Sequence, residues 1–408
     1  MSNDIRCAMV YNAIATAPSG GLYSCCRMLG QKRFWGDPKD YWNSEYIKNH
    51  KDLMEKGIWP TECKRCKNEE NIGHESKRIR ENRNWQNRGY SLDDLQDVSV
   101  LSRVDLRLSN VCNLMCIMCE PDSSSLIYNE TKTNIDNTMS HYVERYNQYN
   151  LDRKNPYTEE EVNSIIEMIE PSTTVYITGG EPSLLKPVYR LLERLIEKGY
   201  NKTVDLQFNS NFQSHNSYFI DLISQFDTGL MMPSIDAIGT VAEYCRYPCK
   251  WNQIESNIKN YLKRCPKWRT KIFVTTSMLN VYELENIFAW RDHLEKTVVS
   301  ERDLFSCCVE NTLNFPHYFN LKLLPLEERT KIIQNIDNII QKYKLLKSEL
   351  NSLNSLKNKL VKWEDNSANI FETFDQLDKI DKIRNTNWRQ CLPHLANIEK
   401  LKNHNKDM

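Results

Sequence analysis

The sequence predicts an α/β chain: a partial barrel of six strand–helix units, (β/α)6 and TIM-like, preceded by a small cysteine-rich segment and followed by a helical extension. Three observations lead there. From about residue 100 to about 310, short β-rich runs alternate with amphipathic helical runs. Five of the fourteen cysteines crowd into the first 66 residues. Beyond about residue 320 the chain is rich in Lys, Asn, Leu and Ile at helical spacing. A closed eightfold barrel takes roughly 250 residues; six repeats in about 210 residues suit a partial one. The expected division is 1–98, 99–312 and 313–408.

In the first part, a helical stretch near Asp40–Glu55 is closed by Gly57. In the second, Val104, Leu106 and Leu108 alternate in a strand that ends just before Cys112. Thr158-Glu159-Glu160-Glu161 fits a capping box opening a helix with Val162, Ile165, Ile166 and Ile169 on one side. Thr173–Thr178 is a strand ending at Gly179-Gly180, and the helix Pro187–Lys198 follows with proline in its first turn and Gly199 at its end. Thr203–Phe208, Leu230–Ile235, Lys271–Met278 and Leu304–Val309 are the later strands. Asn216–Phe226, Trp251–Arg264 and Tyr282–Lys296 are the later helices. Leu324–Trp363 reads as one long helix or two shorter ones, packed on the barrel or held out as a partner-binding arm.

Charge is balanced, with 54 basic and 54 acidic residues, which gives no sign of a nucleic acid or membrane held by bulk electrostatics. No apolar run approaches the roughly 20 residues that span a bilayer, and Met1-Ser2-Asn3-Asp4-Ile5-Arg6 lacks the apolar core of a signal peptide. A soluble, cytoplasmic protein is the expectation. In a reducing cytosol, cysteines in this number read as metal ligands or reactive thiols rather than disulfides.

Cys112, Cys116 and Cys119 form C-x3-C-x2-C in the loop after the first barrel strand. Active sites of parallel β/α barrels lie at the C-terminal ends of the strands, where that loop falls. Three thiolates so close hold three corners of a 4Fe–4S cubane, whose usual complement is four. The fourth iron is then open to a small molecule. A structural zinc site is the alternative, but zinc usually closes with four ligands and no fourth Cys or His lies within the motif. Gly179-Gly180-Glu181-Pro182 follows the second strand. Alone it is an ordinary turn. Beside a three-cysteine cluster, its glycines let backbone carbonyls approach a ligand, and Glu181 can support acceptors for an ammonium group.

These two motifs, in this order, resemble the radical S-adenosylmethionine (SAM) superfamily over about residues 100–310. Met118 departs from it, standing where an aromatic residue is common. The resemblance implies a catalytic cluster on Cys112, Cys116 and Cys119 with SAM on the fourth iron. One-electron reduction then cleaves SAM to methionine and a 5′-deoxyadenosyl radical, which takes a hydrogen from a substrate. It further implies SAM contacts at Gly179, Gly180, Glu181 and Pro182, and at strand ends: Asn211, with Phe212 in place of a common glycine; Ser234 and Asp236; Arg246, spaced to pair with the SAM carboxylate; and Asn280. For each of the strand-end residues a cap or turn role is the plain alternative. A flavodoxin- or ferredoxin-type protein is the implied electron donor.

Cys63-Lys64-Arg65-Cys66 is a half-site for zinc or an iron–sulfur cluster. Gly20–Cys25 resembles the G-x4-C hairpin of the SPASM/twitch auxiliary-cluster domains, with Cys7 preceding it. The resemblance implies a second 4Fe–4S cluster on Cys7, Cys25, Cys63 and Cys66, with Cys26 able to replace Cys25 or to face substrate. Its placement before the barrel departs from the common arrangement. Cys245, Cys249 and the pair Cys307-Cys308 read as buried or incidental thiols, with hydrogen-atom donation to a substrate radical as the alternative. His74, His215 and His394 read as surface or structural.

The expected function is therefore a radical SAM enzyme acting on a peptide or protein, by oxidation, cross-linking or epimerisation. A small molecule such as a nucleoside or sugar is the second expectation. A non-catalytic iron–sulfur redox or sensor protein is the third.

Overall fold

A computed structural model describes residues 4–28, 33–71, 73, 75–96, 101–152, 157–171, 173–214, 216–299 and 301–404. The expected boundary at residue 98, together with His74 and His215, lies outside them. The chain forms two compact units: Met1–Asn110 with Tyr149–Phe208 and Gln225–Gly229, and Val111–Gln148 with Asn209–Ser224 and Leu230–Met408. Eight strands are described, and only one of the pairings within a unit is antiparallel.

The first unit holds β1 (Ala13–Thr16), β2 (Leu22–Tyr23), β3 (Arg103–Leu106), β4 (Thr174–Ile177) and the start of β5 (Asp205–Ser210). β1 and β2 make an antiparallel hairpin, while β1, β3, β4 and β5 run parallel in that order. Val104 pairs with Val175, and Leu106 with Ile177, so one face of the sheet is apolar. The opposite face carries Arg103, Asp105 and Tyr176.

Two helices follow β3 and β4 in this unit. Thr158 and Glu161 close a reciprocal capping box on Glu159–Glu167, which buries Val162, Ile165 and Ile166. Lys186–Glu197 opens with Pro187 and buries Val188, Leu191, Leu192 and Leu195, each contributing about 1.5–3 kcal/mol by burial. Gly199 then takes a left-handed φ of +73°, which ends the helix.

The first hundred residues do not stand apart from this sheet. Ala13 and Ala15 sit in register with Arg103 and Asp105. A helix at Ala8–Asn12 leads into β1, and its residues join Met54, Trp85 and Leu95 in one core. The stretch expected as one helix near Asp40–Glu55 is a 3-10 turn, Pro38–Asn43, and a helix, Glu45–Glu55, capped by Ser44.

In the second unit, β6 (Gly229–Pro233) from Leu230 on, β7 (Arg269–Phe273) and β8 (Phe305–Cys308) run parallel. Helices Trp251–Arg264 and Leu284–Thr297 connect them. The C-terminal stretch forms two helices, Leu326–Lys342 and Lys347–Lys362. The second closes the outer edge of β8: Cys307 N–H donates to Glu349 Oε1 at 3.0 Å and Val309 N–H to Ser352 Oγ at 2.8 Å. Glu349 is wholly buried and also pairs with Arg302 at 2.7 Å. This helix is packed against β8. Glu349→Ala leaves Cys307 N–H without its acceptor and takes one of two carboxylates from Arg302, which keeps Glu295 at 2.7 Å; it should cost about 1–3 kcal/mol, read as a lower chemical-unfolding midpoint. No helix among the described residues is long and apolar enough to cross a membrane.

Candidate metal centre

The loop carrying Cys112, Cys116 and Cys119 belongs to the second unit, where its backbone is held from several sides. Met115 N–H donates to Tyr247 O at 2.6 Å, and Ile117 N–H to Cys245 O at 2.8 Å. Ser124 Oγ donates to Leu114 O at 2.7 Å and Tyr142 Oη to Cys116 O at 3.2 Å. Arg384, from the helix Phe371–Arg384, donates to Met115 O at 2.7 Å while pairing with Glu130 at 2.8 Å. His141 Nε2 meets Cys119 O at 3.3 Å; burial pushes its imidazole down to about 3, so the ring is neutral. The turn therefore owes its shape to backbone and second-layer bonds, leaving the thiols to bind.

Burial raises the thiols of Cys116 and Cys119, and Arg246 draws Cys116 back. Arg246 Nη1 lies 3.7 Å from Cys116 Sγ, and Asn211 Nδ2 lies 3.7 Å from Cys112 Sγ. Arg246 is clasped by Asp236, with Nε and Nη2 at 2.8 and 2.7 Å from Oδ2. The other Asp236 oxygen accepts from Thr275 N–H at 2.7 Å. Both Asp236 oxygens are thus engaged within the protein.

Ser234 follows β6 and donates its N–H to Ser210 O at 2.9 Å. Asn280 is wholly buried, its side chain accepting from Ser277 N–H at 2.8 Å and donating to Thr275 O at 2.9 Å. That is the turn role. Phe212 adopts a φ of +54°, a left-handed conformation that explains a glycine preference at this position. Its ring packs on Tyr261 at 5.5 Å. Cys245 and Cys249 are buried, with Cys249 Sγ 3.3 Å from Ala242 O. Cys307 and Cys308 are buried in β8, and His394 stacks on Tyr282.

Gly179-Gly180-Glu181-Pro182 belongs to the first unit. Gly179 and Gly180 have φ of +82° and +56°. A β-carbon at Gly179 would stand 3.0 Å from Arg107 Cβ and 3.3 Å from Arg107 Cα, so both backbone angle and space call for glycine. Glu181 is buried and caps the turn Pro182–Leu184, accepting from Ser183 N–H at 3.2 Å and Ser183 Oγ at 2.8 Å.

Also in the first unit, Cys7, Cys25, Cys63 and Cys66 line one small cavity. Arg27, Lys77 and Arg78 line it too, placing positive charge beside the thiols. Burial pushes Cys7 up to about 12 and raises Cys63 as well. Cys26 is absent from that lining; its Sγ lies 3.2 Å from Lys77 Nζ, which also pairs with buried Asp105 at 3.2 Å.

Among the described residues, no group of three or more Cys, His, Asp or Glu converges on a single ion. A cubane asks for a different arrangement, because each thiolate binds its own iron. An all-sulfur donor set with N–H donors or cations beside it suits such a cluster at both places. Sequence reasoning missed Arg384, His141 and Tyr142, whose part in the loop depends on contacts that no local motif announces.

Residues 106–289 match the Radical SAM superfamily. This stretch is similar to a radical SAM domain. It contains the cysteine triad, the glycine turn, Asn211, Ser234, Asp236, Arg246 and Asn280; the match begins after the four cysteines of the small cavity. A radical SAM domain implies a 4Fe–4S cluster and SAM.

Among solved structures, native anSMEcpe with bound AdoMet is similar at TM-score 0.39 and 14% identity, over 60% of this chain and 62% of that one. Streptococcus suis SuiB bound to precursor peptide SuiA is similar at TM-score 0.38 and 13% identity, over 73% of this chain and 60% of that one. TYW1 with a lysine–pyruvate adduct bound gives TM-score 0.31 and 14% identity, over 60% and 76%. The chain thus spans about three fifths of the length of the first two. No curated protein sequence matches it.

Proposed function

We propose that the chain is a radical SAM enzyme that cleaves SAM reductively and takes a hydrogen atom from a peptide or protein substrate, leading to oxidation, cross-linking or epimerisation. The observation that carries the enzymatic part is the pinned loop of Cys112, Cys116 and Cys119, with N–H donors against two of its sulfurs. When bound, the cluster and SAM together supply a carbon radical strong enough to attack an unreactive C–H bond. The protein's own residues do the rest. The three thiols hold the cluster, and Gly179 and Gly180, both with positive φ, offer a backbone floor. Ser234, Asn211, Asp236 and Asn280 shape the loops after the strands around the cofactor, the buried Asn280 by fixing its turn, and Arg246 does so from the end of the helix Gly239–Cys245. Cys7, Cys25, Cys63 and Cys66 hold an auxiliary 4Fe–4S cluster, and the peptide preference follows from the likeness of that arrangement to auxiliary-cluster enzymes. A flavodoxin- or ferredoxin-type donor supplies the electron in the cytoplasm.

Anaerobic reconstitution followed by dithionite and SAM tests this. The expected product is 5′-deoxyadenosine; a fully loaded protein that yields none is a redox or sensor protein instead. Gly179→Ala gives a separate check. Forcing an alanine into a left-handed φ costs about 1–2 kcal/mol, and the Arg107 clash adds to it. SAM affinity should fall about tenfold, equivalent to about 1.4 kcal/mol, measured by equilibrium binding to the reconstituted protein.

A further inference from the structure

We propose that Arg246 and Asn211 are positioning residues that raise the reduction potential of the catalytic cluster by donating N–H···S hydrogen bonds to two different ligand sulfurs. The inference rests on the reading of Cys112, Cys116 and Cys119 as cluster ligands. It differs from what the superfamily resemblance implies for Arg246, a partner for the SAM carboxylate.

Each donor faces its sulfur because other residues fix it. Asn211 Nδ2, 3.7 Å from Cys112 Sγ, also donates to Asn113 Oδ1 at 2.8 Å. Asn211 Oδ1 accepts from Gln213 N–H at 2.8 Å, which sets the orientation of the amide. Arg246 presents Nε and Nη2 to one oxygen of Asp236 and Nη1 to Cys116 Sγ. Thr275 N–H holds the other Asp236 oxygen. Asp236 is wholly buried and Arg246 nearly so. The pair is neutral overall, with its positive end against the sulfur.

A cluster held by Cys112, Cys116 and Cys119 would gain one negative charge on reduction by one electron, from dithionite in the test or a protein donor in the cell, and its ligand sulfurs would share that charge. N–H dipoles and a guanidinium stabilise the more negative form more strongly, so reduction becomes easier. In a buried site the effect is little screened. Two donors on two ligands act on the same electron and should add.

The test is an EPR-monitored redox titration of the reconstituted full chain, following the signal that changes when SAM is added. Asn211→Leu keeps the volume and removes the donor. Arg246→Gln is paired with Asp236→Asn, so that no lone buried carboxylate remains. At the poise where half of the unaltered cluster is reduced, each variant should show a reduced-to-oxidised ratio about tenfold lower, which is 59 mV for a one-electron couple. Arg246→Lys should recover part of the shift. Should the paired variant fail to fold, Asn211→Leu carries the test alone. Full iron with an unchanged potential overturns the proposal, as does loss of the cluster in the variants only, which would make the residues assembly determinants. An unaltered chain that binds no iron at the triad overturns the cluster reading itself, and this proposal with it.

Discussion

Replacing Cys112, Cys116 and Cys119 together by alanine should abolish the release of 5′-deoxyadenosine from SAM and remove about half of an expected eight irons per chain. Any one of the three substitutions should suffice for the activity. A cubane that keeps one iron for SAM has no ligand to spare, and losing a thiolate opens a second iron to solvent. The structure explains why the loss need not reflect unfolding. The loop is held by Tyr247 O, Cys245 O, Ser124, Tyr142 and Arg384, through its backbone rather than its sulfurs. Arg246 keeps its bond to Asp236 when Cys116 Sγ is removed. The unfolding midpoint of the metal-free protein should therefore move by no more than about 1 kcal/mol per substitution. Product formation at the unaltered rate by the triple variant would refute the assignment of the catalytic cluster.

The sequence made the chemistry more legible than the architecture. C-x3-C-x2-C and the glycine turn are local patterns whose residue types are dictated by bonding, so they can be read without coordinates. Strands with one apolar face were equally readable: Val175 and Ile177 alternate with polar neighbours in β4. β1 was not, because Ala13-Ile14-Ala15-Thr16 is buried on both faces and shows no alternation. β7 was drawn too long. Its β-branched continuation, Val274-Thr275-Thr276, looks like strand, yet Thr275 N–H turns to Asp236 and Thr276 pairs singly with Thr312. Arg384 bonds a carbonyl 269 residues away. A basic residue near a helix end fits any helix by its dipole alone, so nothing in its neighbourhood points to the cysteine loop. The N-terminal segment was expected as a separate piece, but its strand lies parallel to β3 in one unit.

The four cysteines of the small cavity support the second large effect. Cys63→Ala with Cys66→Ala should remove roughly half the iron while leaving SAM cleavage in the absence of substrate, because the catalytic loop lies in the other unit. Formation of modified substrate should be lost, with 5′-deoxyadenosine still released. The same iron loss is expected for Cys7→Ala or Cys25→Ala. Cys26→Ala should keep full iron, since that thiol is not among the residues that line the cavity. The contrast between neighbouring positions makes the test sharp: two cysteines adjacent in sequence are predicted to behave oppositely. Arg27, Lys77 and Arg78 line the cavity with Glu62, and each of the three cations also pairs with a carboxylate, Glu69, Asp105 and Glu70 in turn. Folding should survive the loss of metal, because Ala8, Met9, Val10, Tyr11, Trp85 and Leu95 form an apolar core there. Circular dichroism and iron analysis on the same samples would separate the two contributions. If Cys26→Ala loses iron and Cys25→Ala does not, the ligand set must be redrawn around the Lys77 side of the hairpin.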